Sequence, residues 1–294
     1  MGACRSDRGS AGASRRAAGA ARAATRPPSI RQDEACCDGS TGNGGQCSAA
    51  DQGRRGARAG GPGDAVRERL GATDLAGVRS AYNAVYARTE YGDREVLYAR
   101  IFRLLKLQPG DRLCDVACGA GNWLEYCASR GVEVEGCELS DEALGRARRR
   151  VPDARLWLAD GAALPLADDS RAILTCLGSL EHFLDPAAGA RELARVLAPG
   201  GRAVIMLPNA YYSGDLWRVL RTGYGPNHHQ VIDRFASCHE WRDLLTEAGL
   251  RPTRIERYDK GKWWKRLWPF HFAYHFLYII DDSSGPDGPE APDV

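Results

Sequence analysis

The chain has 294 residues, 44% hydrophobic and 27% charged, with 40 basic against 38 acidic side chains and a formal net charge of +2. That length permits a substantial buried core, and the composition suits a globular protein. So small a net charge supplies no general attraction to nucleic acid, which is not expected as a partner, and no apolar run approaches the ~20 residues that a bilayer-spanning helix needs.

The first seventy residues are rich in Arg, Ala and Gly and contain no lysine and almost no large apolar side chain. Such a segment buries too little surface to offset its ordering entropy, so residues 1–75 are expected to form a disordered extension. Residues 1–32 carry many arginines and one acid, Asp7, as in an organellar transit segment. The glycine clusters and Cys36-Cys37 suit neither a transit helix nor an RNA-binding arm; a dispensable tail or an upstream start codon fits better. The ten cysteines include no CxxC pair, which argues against a zinc or redox motif. Most of those from Cys114 to Cys238 sit in apolar runs, where a thiol acts as a small hydrophobe. The thiols are read as reduced and the protein as cytoplasmic.

Order is expected from residue 76 to residue 281. Tyr82, Tyr86 and Tyr91 punctuate a helix and loop, and Leu97, Ile101, Leu104 and Leu105 follow helical spacing up to Pro109-Gly110. Short apolar strands then alternate with helices. The strands are Arg112–Ala117, Glu133–Glu138, Ala154–Ala159, Ala172–Leu177 and Arg202–Leu207; the helices run to Arg130, over Asp141–Arg150 and over Pro186–Leu197. This alternation predicts an open, mostly parallel α/β sheet with helices on both faces. A helix over Glu240–Ala248 and strands at Arg254–Tyr258 and Phe272–Ile280 complete it, and the Pro-, Gly- and Asp-rich residues 282–294 form a flexible tail.

The segment Leu113-Cys114-Asp115-Val116-Ala117-Cys118-Gly119-Ala120-Gly121-Asn122 reads as a strand, a turn of small residues and a helix start. Small residues allow close backbone approach to a ligand, and the helix start presents free N–H groups. A dinucleotide fingerprint needs a third glycine where this chain has Leu124, and Asp115 before the turn would repel a pyrophosphate. A nicotinamide-dependent reductase is therefore disfavoured. Glu138 ends the second strand, placed to accept the ribose hydroxyls of an adenosine ligand, and Asp160 ends the third.

These pieces, with Gly136-Cys137-Glu138-Leu139-Ser140, Leu164-Pro165, Ser179-Leu180-Glu181-His182 and Arg195–Gly201, occur together in an order that resembles class I S-adenosylmethionine-dependent methyltransferases. The likeness is greatest to the methyltransferase domain 11 group related to ubiquinone and menaquinone biosynthesis enzymes. The resemblance implies a Rossmann-like sheet of seven strands with the last antiparallel, S-adenosylmethionine as cofactor, and cofactor contacts at Asp115, Ala117, Gly119, Gly121, Glu138, Leu139, Asp160, Gly161, Leu177 and Gly178. Ala117 stands where the family often has glycine.

Methyl transfer needs the acceptor held in line with an already electrophilic methyl, and a base only where the acceptor must lose a proton. His182, His228 and His229 are the candidate bases, and no metal is expected, because no carboxylate cluster accompanies the paired histidines. Asn209-Ala210-Tyr211-Tyr212 is expected to wall the acceptor pocket. The Asn/Asp-Pro-Pro-Tyr motif of nucleobase and amide N-methyltransferases is missing after strand four, where the chain has Cys176-Leu177-Gly178-Ser179. The reading is methyl transfer to oxygen of a small-molecule or glycan- or lipid-linked acceptor, with a non-catalytic cofactor-binding scaffold as the alternative. The mixed cations and tryptophans of Lys260–Trp268 suggest weak contact with a membrane surface, against the plainer reading of an amphipathic connection packed on the sheet edge.

Overall fold

A computed structural model describes residues 67–89, 94–224, 230–259 and 268–281. In chain order these form β1 (Arg67–Leu70), α1 (Leu75–Arg88), α2 (Glu95–Leu104), β2 (Arg112–Val116), α3 (Asn122–Ala128), β3 (Glu133–Glu138), α4 (Asp141–Arg150), β4 (Arg155–Leu158) and β5 (Arg171–Leu177). There follow α5 (Pro186–Val196), β6 (Leu197–Pro208), α6 (Ser213–Thr222), β7 (Ile232–Phe235), α7 (Cys238–Glu247), β8 (Arg254–Tyr258) and β9 (His275–Asp281).

Seven strands make one sheet in the order β4-β3-β2-β5-β6-β9-β8. The pairings from β4 through β6 are parallel, and β9 runs antiparallel to both β6 and β8. The expected open α/β sheet with an antiparallel last strand is what the chain adopts. Strand order reverses at β2, which lies between β3 and β5, and ligands of open α/β sheets bind at such a switch.

Local chemistry starts the helices. Asp74 accepts from the Gly77 amide at 2.7 Å to cap α1, and Asp185 accepts from the Ala188 amide at 2.9 Å, with Pro186 as the first residue of α5. A reciprocal capping box of Ser237 and Glu240 opens α7. The apolar faces then cover the two sides of the sheet: Leu193, Val196, Trp241 and Leu245 from α5 and α7 on one side, and Leu97, Ile101, Leu124 and Cys127 from α2 and α3 on the other. The six described cysteines are free and buried.

Three elements go beyond the expected ones. The first described element, β1, falls inside residues 1–75, expected to be disordered; Arg67–Leu70 finds an antiparallel partner in Ile232–Phe235. Strand β7 and helix α6 both lie in the connection after β6. Among the described residues no helix is long and apolar enough to cross a membrane.

Candidate active site

At the carboxyl end of β2 the chain turns sharply. Ala117, Gly119 and Gly121 all have positive φ, at 60°, 55° and 79°, and α3 starts immediately afterwards. Glycine takes this conformation freely, whereas alanine pays for it. A side chain on Gly119 would collide with the Tyr86 hydroxyl, 2.5 Å from its would-be Cβ. Helix α1 therefore closes over the turn.

Three carboxylates frame the same cleft. Asp115 is 3% exposed and accepts a 2.6 Å hydrogen bond from the Thr175 hydroxyl, whose oxygen accepts from Trp123 Nε1 at 3.1 Å. Burial raises the Asp115 carboxyl to about 7, with the neighbouring Glu138 adding to the rise and the Thr175 bond opposing it. Glu138 is also raised by burial, against the pull of backbone amides. It accepts from the Gly119 amide at 2.9 Å and the Ser140 amide at 2.8 Å. Asp160 accepts from the Ala162 amide at 3.0 Å. Next to it Gly161 leaves room for the Phe183 ring, which a Cβ there would strike.

The Ser140 hydroxyl donates to Asn83 Oδ1 at 2.6 Å, and Arg79 pairs with Asp141 at 2.6 Å. These bonds tie α1 to the loop that holds Glu138, which brings Tyr82 and Tyr86 onto the cleft.

Of the expected cofactor residues, Asp115, Ala117, Gly119, Glu138, Leu139, Asp160, Gly161, Leu177 and Gly178 line this one cleft. Gly121 does not; a Cβ there would press on Ala147, so its absence serves the packing of α3 on α4. Unforeseen lining comes from Tyr82, Tyr86, Arg94, Tyr98, Trp123 and Gln230. The tyrosine spacing in α1 was the available signal, and it reads equally well as ordinary helix packing.

His182 also lines the cleft, on a 3-10 turn after β5. Its Nδ1 lies 2.5 Å from the Ile232 carbonyl oxygen and its Nε2 lies 3.6 Å from Glu181 Oε1. A carbonyl only accepts, so Nδ1 carries a proton, while Nε2 lies on the side of Glu181 and Nδ1 also lies 3.7 Å from Asp233 Oδ1. Arg234 of β7 donates to the carbonyls of Glu181, Phe183 and Leu184, which fixes the turn. His228 and His229 lie outside the described residues. Asn209 is not a pocket wall: it is 3% exposed, and its amide donates to the His271 and Ala273 carbonyls at 2.7 and 2.8 Å.

A profile of a methyltransferase domain matches residues 89–255, more than half of the chain. The chain belongs to the methyltransferase-domain family. It is 33% identical over 181 residues to 27-O-demethylrifamycin SV methyltransferase of Amycolatopsis mediterranei, covering 56% of this chain and 64% of the relative. It is 34% identical over 170 residues to demethylmenaquinone methyltransferase of Beutenbergia cavernae, covering 50% and 68%. The chain thus spans about two thirds of the length of these relatives. Its fold is shared with magnesium protoporphyrin IX methyltransferase of Synechocystis, with a TM-score of 0.54, 18% identity and coverage of 70% of this chain and 98% of the other.

The cleft of this methyltransferase domain fits its family cofactor, S-adenosylmethionine. Asp115 is a buried carboxyl held in place by Thr175, and its ionised form would suit the cationic amine of that cofactor. Glu138 would still have lone pairs, beyond those bonded to the Gly119 and Ser140 amides, to accept from ribose hydroxyls. The glycine turn gives the close backbone approach.

Proposed function

We propose that this domain transfers a methyl group from S-adenosylmethionine to an oxygen of a small-molecule acceptor, with His182 taking the acceptor's proton. The observation that supports this most directly is the placement of His182. It shares a cleft with Asp115, Glu138 and Asp160, and its Nδ1–H faces a backbone carbonyl. The relatives that act on demethylrifamycin and in ubiquinone biosynthesis as O-methyltransferases support oxygen as the accepting atom.

The bound cofactor would supply an electrophilic sulfonium methyl. Asp115 would pair with the cofactor's cationic amine, Glu138 would take its ribose hydroxyls, and Asp160 would face its adenine end. Tyr82 and Tyr86 shelter the cleft from water. His182 Nε2 would receive the hydroxyl proton of an acceptor oxygen that takes the methyl group the cofactor supplies. An acceptor linked to a lipid or glycan falls within the same proposal, as does membrane contact through Lys260–Trp268, of which only Trp268 is a described residue.

Calorimetry with S-adenosylhomocysteine, followed by a labelled-methyl screen over hydroxylated and phenolic acceptors, tests the reading. Binding is expected, and loss of binding in Asp115→Ala and Glu138→Ala. His182→Ala should bind the product normally and transfer methyl ~10²-fold or more slowly. A domain that ignores S-adenosylhomocysteine overturns the proposal. A His182→Ala variant that matches wild-type transfer removes the base assignment.

A further inference from the structure

Helix α6 buries only Ser213 among its ten residues. Trp217 and Leu220, one turn apart, are 64% and 80% exposed, and Tyr224 beyond the helix is 73% exposed. A spacing of three residues puts Trp217 and Leu220 on one face of the helix. Leaving so much apolar surface in water is costly, and a contiguous patch of it marks a contact surface.

Cations outnumber acids along this helix, whose one acid, Asp215, lies in the first turn. Arg218 and Arg221 lie in the helix, and between Asp215 and Asp233 the sequence has no acid. A second exposed tryptophan, Trp268, stands at the same end of the sheet. The Asn209 amide binds the carbonyls of His271 and Ala273, and the Tyr212 and Tyr274 rings meet at 5.0 Å, edge to face. These contacts join the start of α6 to the segment that runs from Trp268 into β9. It is also the carboxyl end of β6, the end of the parallel strands at which the cleft opens.

We propose that the Trp217–Leu220 face of α6 docks on an anionic phospholipid surface, with the indole and leucine in the headgroup boundary and the arginines on lipid phosphates. Aromatic and aliphatic side chains flanked by cations are the composition of an interfacial helix. A second copy of the chain fits less well, since a self-complementary contact would bring arginine against arginine. This inference concerns a surface outside the cleft and is read without catalysis.

The test is flotation of the full-length chain with phosphatidylglycerol or phosphatidylcholine vesicles, at low and raised salt. Residues 1–66 carry many arginines that attract anionic vesicles by charge alone, so the deciding variant changes no charge: Trp217→Ser with Leu220→Ser. Its partition onto phosphatidylglycerol should fall at least about tenfold, most visibly in raised salt, where charge contacts are screened. Its thermal midpoint should be unchanged. Arg221→Glu should weaken binding to phosphatidylglycerol about fivefold or more and leave phosphatidylcholine unaffected. The proposal is overturned if the wild type ignores phosphatidylglycerol or the double variant floats as well as the wild type. It is overturned equally if sedimentation shows a dimer that this variant abolishes, or if an acidic protein partner competes the vesicles away.

Discussion

The Thr175 hydroxyl, on β5, donates a 2.6 Å hydrogen bond to the Asp115 carboxylate on the neighbouring β2. It stabilises the ionised form of a side chain that burial otherwise drives toward neutrality. A carboxyl poised in this way beside a cleft is suited to a cationic partner, which would draw it into the charged form.

A pH dependence follows with a definite sign. With its carboxyl raised to about 7, Asp115 contributes stability at acid pH that is lost as pH rises from the ordinary carboxylate range near 4 through about 7. Asp115→Asn should therefore melt progressively higher than wild type across that window in the absence of ligand, and the gap should level off above it. Affinity for S-adenosylhomocysteine should move the opposite way, rising through pH 7 in wild type and staying low in the variant. Calorimetry at about pH 6 and about pH 8, roughly one unit either side of the midpoint, decides; equal affinities there would remove the role given to the charge.

Thr175→Val keeps the shape and removes the donor. A hydrogen bond to a buried charge contributes about 1.5–3 kcal/mol, so the variant should bind S-adenosylhomocysteine roughly tenfold or more weakly. An unchanged dissociation constant would mean that the bond orients nothing.

Glu138→Ala removes the acceptor for two backbone amides, those of Gly119 and Ser140. Like Thr175→Val, which leaves the buried Trp123 Nε1 without its acceptor, it should cost stability as well as affinity, by about 1–3 kcal/mol for each amide left without a partner. Urea unfolding without ligand measures the first loss and calorimetry the second.

Ala117 holds a left-handed φ of 60°. Its replacement by glycine should stabilise the fold by about 1 kcal/mol, the cost of an alanine in that region less the extra freedom glycine has when unfolded. Denaturant titration gives the sign; a destabilised Ala117→Gly would show that the methyl group packs favourably enough to repay the strain.

How much could be read from sequence follows the range of the interactions. The strands β2, β3 and β5, with Asp115, Glu138 and Gly178 near their ends, announce themselves through local apolar runs and small-residue turns. The cover of the cleft does not. Tyr86 reaches Gly119 only because Arg79 and Asn83 dock α1 on α4, a contact between residues some sixty positions apart. Helix α6 was missed for a different reason: its apolar residues face solvent, so their spacing signals no core. Asn209, read as a pocket wall, saturates backbone carbonyls near β9 instead, a partnership that no local pattern encodes.

The pairing of β1 with β7 matters for anyone who trims this protein. Cutting at Ala76, where sequence alone puts the boundary, deletes Arg67–Leu70 and strips β7 of its neighbour. The orphaned edge would carry Ile232, whose carbonyl orients His182, and Arg234, which grips the turn around it. Shortened versions beginning after the ribbon should keep the nucleotide end intact and loosen the acid–base end, and a fragment starting upstream of Arg67 should restore it.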